Sequence, residues 1–394
     1  MTMTAESIHQ SAQQLAAETT ELRRDFHRHP ELAFQEVRTS GIVAERLQAL
    51  GLQVRSGVGK TGVVAVLDSG KAGKTVLARA DMDALPIDEE RDTPYRSTVA
   101  NTMHACGHDG HTAVLLSVAK LFCERKADWS GRLVFIFQPA EETVGGAQKM
   151  LEDNALEGLH IDASIGLHLG SHFPVGMVAL RAGPAMAATD SMRIVVRGHG
   201  GHAARPQECV DPVLISAQLI SGLQSLVSRE VDPLDNAVIS ITSVHGGSAY
   251  NIIPEQVELK GTLRTFKAET RQQLKDRIAS YSEGIANSLR GSASLEWIDQ
   301  SPAVVNDAAM TARMQQVAEA VVGADKVVEA EPVMGGDDMA LWLQQAPGCY
   351  FFVGAGNVAA GIDKPHHHPQ FDIDEASLPL AVELLSKGIL DYLG

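Results

Sequence analysis

Cysteine is scarce. The four in 394 residues, Cys106, Cys123, Cys209 and Cys349, are scattered without disulfide-like spacing, and reduced thiols in a cytoplasm are the expectation. Long apolar runs are missing too, so no bilayer-spanning segment is expected. The first residues, Met1 to Glu6, lack a basic stretch followed by an apolar one, and no secretory leader is read there. Basic residues are outnumbered: 33 Lys plus Arg against 49 Asp plus Glu give a formal net charge of −16. That balance argues against nucleic acid and anionic membrane as partners. It leaves the substrate open, because a local basic site can sit in an acidic protein. Repeats and low-complexity linkers are absent as well. What remains is a chain that is 44% apolar with a mean hydropathy near zero, as a soluble globular protein requires. Its length exceeds one ordinary core, so two domains are expected.

One stretch concentrates chemistry. His104-Ala105-Cys106-Gly107-His108-Asp109-Gly110-His111 puts three His, one Cys and one Asp into eight positions. That many polar side chains cannot be buried without partners. The apolar Ala113-Val114-Leu115-Leu116 follows, so the stretch reads as a loop running into a helix. Cys106 and His108 can face one ion from a bent loop, and sulfur plus imidazole suits a zinc-like metal. A polar helix cap with a buried Cys is the plainer alternative.

Taken in order, the periodicity predicts helices near Ser7–Arg28 and Thr39–Leu50, then strands at 62–67 and 75–80. His27 and His29, at the Pro30 stop, read as surface or capping residues. Gly57 to Thr61 ends like a phosphate-binding loop, but its upstream glycine is absent and a strand follows, so it is set aside. The second strand delivers Asp81 and Asp83. A helix near 111–125 leads to an apolar strand at 132–137, which runs into Gln138-Pro139-Ala140-Glu141-Glu142. The short run Ala163–Leu167 ends in His168. Several strand-like segments thus finish in metal- or proton-handling residues, where open α/β sheets place active sites. From about Pro184 the order is strand, helix, two strands, helix, strand, as far as Ile298. A helix near 307–322, a strand at 349–353, the polar Lys364 to Pro369 and a helix near 377–392 close the chain. The expected fold is α/β: a catalytic domain (1–185 and 299–394) with a mixed, largely parallel sheet flanked by helices, and an inserted βαββαβ, ferredoxin-like domain (186–298).

These motifs, with Gly200 to Pro206, Asn251-Ile252-Ile253-Pro254, Gly261 to Arg264 and His367-His368-Pro369, span nearly the whole chain. The chain resembles the dinuclear metal amidohydrolases and metallopeptidases of aminoacylase and carboxypeptidase type. The matching branch is that of hippurate hydrolase, N-acyl-amino-acid amidohydrolases and auxin-conjugate hydrolases. The resemblance implies two divalent metal ions per subunit, manganese or zinc ahead of cobalt or nickel. It implies Cys106 as the bridging ligand, with His108, Glu142, His168 and His367 completing the set; His366 and His368 compete with His367. Asp81 stands where other branches carry a ligand His and is not carried over. Asp83 is expected to orient a ligand, and Gly335-Gly336-Asp337-Asp338 replaces a common Gly-Ser-Glu-Asp.

The chemistry implied is amide hydrolysis of a small N-acyl amino acid, with Glu141 as general base. His202 on the inserted domain would donate to the developing oxyanion, and Asn251 and Arg264 would grip the substrate. The inserted domain would serve as lid and dimerisation surface of a homodimer or dimer-based homo-oligomer. Without the family, His202 reads as a turn residue and Arg264 as half of a rim salt bridge. Peptidase, carboxypeptidase or N-acetyl-diaminopimelate deacetylase activity, a Cys106 nucleophile and a catalytically inactive metal-binding protein are the competing readings. For Glu141 and Glu142 to serve different roles, the chain around them must bend, because neighbours on an extended segment point opposite ways.

Overall fold

The fold is taken from a computed structural model describing residues 3–143 and 145–394. Met1 and Thr2, at the head of the expected catalytic domain, and Val144 lie outside the described residues. Helix α1 (Ala5–Arg28) starts at Thr4, which accepts from the Ser7 amide while the Ser7 hydroxyl oxygen accepts from the Thr4 amide, a reciprocal cap. Its buried Ile8, Ala12, Leu15, Leu22 and Phe26 line one face, as a helix against a core must. Helix α2 (Val37–Ala49) follows.

The chain forms two compact units. One comprises Met1–Ala185, Val305–Glu331 and Asp338–Gly394; the other comprises Met186–Val304 and Pro332–Asp337. In the first, strands β1 (Gln53–Val58), β2 (Gly62–Asp68), β3 (Thr75–Asp81), β4 (Arg132–Gln138) and β5 (Ala163–Pro174) join an eight-stranded mixed sheet. Its order is β1-β2-β4-β3-β5, then Gly348–Gly356, Val178–Leu180 and Val327–Glu329. Strand β3 pairs in parallel with β4 and β5, and β5 pairs in parallel with Gly348–Gly356. Strand β1 escaped the sequence reading because it is a largely exposed edge with no apolar run.

Helix α3 (His108–Glu124) begins three residues earlier than its apolar pattern predicts. Gly107 precedes it at φ +89°, a left-handed turn that glycine adopts without strain. His108 therefore stands on the first turn of a helix. Because β3, β4 and β5 are parallel, their carboxyl ends lie side by side: Asp81 is in register with Gln138. The residues just beyond those ends, Asp83, Glu141 and Glu142, and His168 within β5, share one region.

The second unit is a four-stranded antiparallel sheet in the order Ala237–His245, Gln256–Thr265, Ala188–Arg197, Ser292–Ser301. Helices Pro212–Glu230 and Ala268–Ser288 contribute Leu219, Leu223, Leu274 and Ile278 to a core shared with Ile194, Leu259 and Leu263. The strand predicted to end at Ile298 continues to Ser301 after a register shift beyond Trp297. A two-residue ribbon, Gly201–His202 against Ile252–Ile253, completes this unit. No helix among the described residues is long and apolar enough to cross a membrane.

Candidate metal centre

In the first unit, five polar side chains from separate parts of the chain come together. Cys106 lies on the loop before α3, His108 on its first turn, Glu142 beyond β4, His168 on β5, and His367 on the loop before the last helix. Ligand atoms of Cys106, His108 and His168 lie within 4.8 Å of one another, and so do those of Cys106, Glu142 and His367. Cys106 belongs to both groups. Its Sγ is 3.6 Å from His168 Nε2, and Glu142 Oε2 is 3.2 Å from His367 Nε2. The buried His108 Nε2 and Glu142 Oε1 have no hydrogen-bond partner, although His108 Nε2 is only 3.8 Å from that Glu142 oxygen. Buried polar atoms normally find partners. Sulfur, imidazole and carboxylate donors that converge while leaving atoms free fit a pair of divalent transition-metal cations.

Each donor is held from behind. His108 Nδ1 donates to the Asp83 carbonyl at 2.9 Å, which leaves Nε2 facing the other donors. His168 Nδ1 is 3.1 Å from the Leu169 carbonyl. Such outer contacts fix the tautomer and direction of a ligand imidazole. Of the competitors of His367, His366 accepts from the Ser171 amide at Nε2 (3.3 Å) but has a buried Nδ1 without a hydrogen-bond partner, and His368 Nδ1 accepts from the Gln370 amide at 3.0 Å. His367 itself has φ +66°, a strained value of the kind that gathers at functional sites.

The Asp83 carboxylate does something the sequence reading missed. Its Oδ1 accepts from the Glu141 amide at 2.9 Å and its Oδ2 from the Glu142 amide at 3.0 Å. The expected orienting contact to a ligand comes from its carbonyl and from Oδ1, 3.3 Å from His108 Nδ1, while the same carboxylate fixes the backbone of both glutamates. The bend required there is at Ala140, at φ +52° and fully buried. Beyond it Glu142 meets both His367 and His108, at 3.2 and 3.8 Å, and Glu141 Oε2 lies 4.0 Å from His108 Nε2.

Asp81 is occupied as well. Arg79 donates to Oδ2 at 2.7 Å and His111 Nδ1 donates to Oδ1 at 2.6 Å. His111 Nε2 then accepts from the Leu169 amide at 2.9 Å, next to His168. Asp81 is 3.6 Å from His108 Nε2, so it forms a further close group with His108 and His111. Behind it, Asp338 accepts from Arg79 at 2.9 Å and from the Ala147 amide at 2.9 Å.

Electrostatics follow burial. Burial pushes the Cys106 thiol well above its ordinary range, and the Glu142 carboxylate adds to this. A thiolate, as nucleophile or as metal ligand, needs a nearby cation to offset that burial. Burial and the neighbouring His111 and His366 hold His168 well below the usual histidine value. At His108 burial opposes charge, but the Asp81 carboxylate outweighs it and the value is raised.

Sequence reasoning missed a second buried cluster, beside this one. His27, expected at the surface, is 1% exposed; its Nδ1 is 2.7 Å from Asp109 Oδ2 and its Nε2 is 3.3 Å from Glu89 Oε1. Arg23, fully buried, reaches Asp109 and Asp372, each at 2.8 Å. The lone signal was an Arg and a His one turn apart on an otherwise amphipathic helix.

His202, Asn251 and Arg264 belong to the second unit. His202 is exposed, and its Nδ1 accepts from the Ala204 amide at 3.1 Å. The Asn251 carbonyl accepts from the Ala203 amide at 3.0 Å, which brings these two positions together. Arg264 is half-buried; its Nε donates to Thr262 Oγ1 at 2.9 Å, and among the described residues no carboxylate lies within ion-pairing distance of it. The rim salt bridge is therefore not formed. Burial lowers the Arg264 value, against the pull of Asp190.

Comparison with known proteins agrees with the geometry. The profile of the peptidase family M20/M25/M40 matches residues 77–391. The chain is 41% identical over 364 residues to thermostable carboxypeptidase 2 of Saccharolobus solfataricus, covering 91% of each. It is 40% identical over 367 residues to the N-acetylcysteine deacetylase of Bacillus subtilis, covering 93% of this chain and 94% of the relative. Among solved structures, the Bacillus subtilis YXEP protein, titled a dinuclear metal-binding peptidase of family M20, superposes with a TM-score of 0.82 at 36% identity, covering 97% and 99% of the two chains. The chain belongs to the peptidase family M20/M25/M40 and is an enzyme of its metal-dependent amidohydrolase and peptidase type.

Proposed function

We propose that the protein hydrolyses the amide bond of N-acyl amino acids. One observation carries the reading: two ligand groups share Cys106, with the Glu141 carboxylate alongside them. Cys106, His108, Glu142, His168 and His367 would hold two divalent cations, manganese or zinc first and cobalt or nickel next. When bound, such ions polarise an amide carbonyl and ease deprotonation of water. Glu141 takes the proton of the attacking water and returns it to the leaving amine. Asp83 keeps the Glu141 and Glu142 backbone in place during both transfers. His202 donates to the developing oxyanion. Asn251 and Arg264 hold the free carboxylate of the substrate; an Arg264 guanidinium without a protein carboxylate partner supports that assignment. The four free thiols suit a reducing, cytoplasmic setting. The second unit serves as lid and dimerisation surface.

The test is turnover of N-acetyl amino acids and N-benzoylglycine by protein loaded with each metal in turn. Wild-type turnover should vanish with a chelator. Glu141→Ala should retain the metals while kcat falls by roughly a hundredfold to ten-thousandfold. Activity that survives this substitution refutes the assignment of the base. A carboxypeptidase is the second reading, favoured by the name of the Saccharolobus relative. A higher kcat/KM on peptides with a free carboxyl terminus than on N-acetyl amino acids would select it.

A further inference from the structure

The bend from which Glu141 and Glu142 both reach the donor cluster has a holder of its own. Glu36, just before α2, is fully buried. Its Oε1 accepts from the Ala140 amide at 2.9 Å and from the Phe34 amide at 3.0 Å, and its Oε2 accepts from the Thr61 hydroxyl at 2.5 Å. Both amides on Oε1 belong to non-glycine residues in left-handed backbone, Ala140 at φ +52° and Phe34 at φ +60°. Such residues resist that region, because Cβ crowds the following carbonyl. They stay there only where surrounding structure over-determines them. With Asp83 taking the next two amides, three consecutive N–H groups, 140 to 142, end on two buried carboxylates drawn from distant segments.

We infer that Glu36 is a positioning residue for the hydrolytic reaction: its buried carboxylate holds Ala140 in the left-handed conformation from which Glu141 and Glu142 both reach His108, at 4.0 and 3.8 Å. Reach, not charge, is what this role needs. A glutamine keeps an acceptor oxygen at the same distance for both amides and turns its NH₂ toward the Thr61 oxygen. An aspartate keeps the charge but withdraws it by one methylene. A glycine at 140 adopts the left-handed region without help.

The inference rests on the proposed hydrolysis, and its test separates the two. Wild type, Glu36→Gln, Glu36→Asp and the double variant Glu36→Asp/Ala140→Gly are loaded with cobalt(II). Each is assayed on N-acetylcysteine, and visible absorption is recorded without substrate. Glu36→Gln should match wild type. Glu36→Asp should lose roughly 10–100-fold in kcat with KM within about threefold, and its cobalt absorption should change because Glu142 moves with the bend. The double variant should regain most of the lost kcat and the wild-type spectrum. A general packing defect would instead follow the folded fraction and would not respond to glycine at 140. Wild-type kcat in Glu36→Asp, a Glu36→Gln as impaired as Glu36→Asp, or a loss that Ala140→Gly leaves in place overturns the inference. If wild type turns over no N-acetylcysteine, that substrate reading fails on its own and the cobalt spectra decide. A changed Glu36→Asp spectrum restored by Ala140→Gly supports the positioning role, and identical wild-type and Glu36→Asp spectra overturn it.

Discussion

Replacing Arg23 by methionine should be among the most damaging single changes outside the metal ligands. The guanidinium is fully buried. It donates to Asp109 and to Asp372, each at 2.8 Å, and approaches Glu375 at 3.3 Å. Methionine keeps the length of the side chain but removes the one cation that two buried carboxylates share, leaving Asp372 with Arg91 at 3.0 Å and Asp109 with His27 at 2.7 Å. Breaking a buried ion pair from one side costs about 3–5 kcal/mol. For a unit of this size that is a drop of roughly 5–9 °C in Tm. Calorimetry in the presence of a chelator removes any metal contribution from the comparison. The pH dependence supplies a second check. Burial alone would raise the Asp372 value, but Arg23 and the Tyr95 hydroxyl outweigh it and hold Asp372 below the usual carboxylate range. A carboxylate with a depressed folded value stabilises the fold above its unfolded value, about 3.9. That contribution disappears as pH falls through the folded value. In Arg23→Met the largest cause of the depression is lost while the Tyr95 and Arg91 contacts remain, so the wild-type advantage should be largest near neutrality and shrink on acidification. A Tm within about 2 °C of wild type, or a gap that does not change with pH, refutes the argument.

Asp83→Asn puts an NH₂ group against one of two amide donors; kcat should fall by roughly 10–100-fold, and a wild-type rate in steady-state kinetics would dismiss the clamp. Cys106→Ser should depress metal content at both groups, whereas His367→Ala should depress it at one; metal analysis that finds equal losses would contradict the shared position of the sulfur. Gly146→Ala would set a Cβ 1.7 Å from the Pro139 carbonyl oxygen. The loop carrying Glu141 and Glu142 must then shift at a cost of about 1–3 kcal/mol or more, read as a lowered denaturant midpoint.

Much of the site was legible because strand ends announce it. Apolar runs stopping at Asp81 and Gln138 are visible in one dimension, and parallel pairing gathers them; His168, expected to end its strand, lies inside β5, which continues to Pro174. The clustered His and Cys before α3 were equally plain. Helix α3 itself starts at His108, since Gly107 allows a left-handed entry that apolar periodicity does not register. What stayed hidden depends on partners far away in the chain. The left-handed Ala140 follows from Glu36, more than a hundred residues earlier, and from Asp83. His27 looked like a surface residue because nothing local reveals that Asp109 and Glu89 wait for it. Exposed β1 carries no pattern to detect, and pairing with β2 alone defines it.

The strand Gly348–Gly356 lies between β5 and Val178–Leu180 in the middle of the large sheet, yet it comes near the end of the chain. During synthesis on the ribosome, β5 therefore emerges with one flank of backbone groups unpaired and stays so while some 170 further residues are made. The antiparallel sheet of the second unit needs nothing beyond Ser301 and can close in that interval. A nascent chain stalled before residue 348 should thus carry a folded second unit beside an open, aggregation-prone sheet edge.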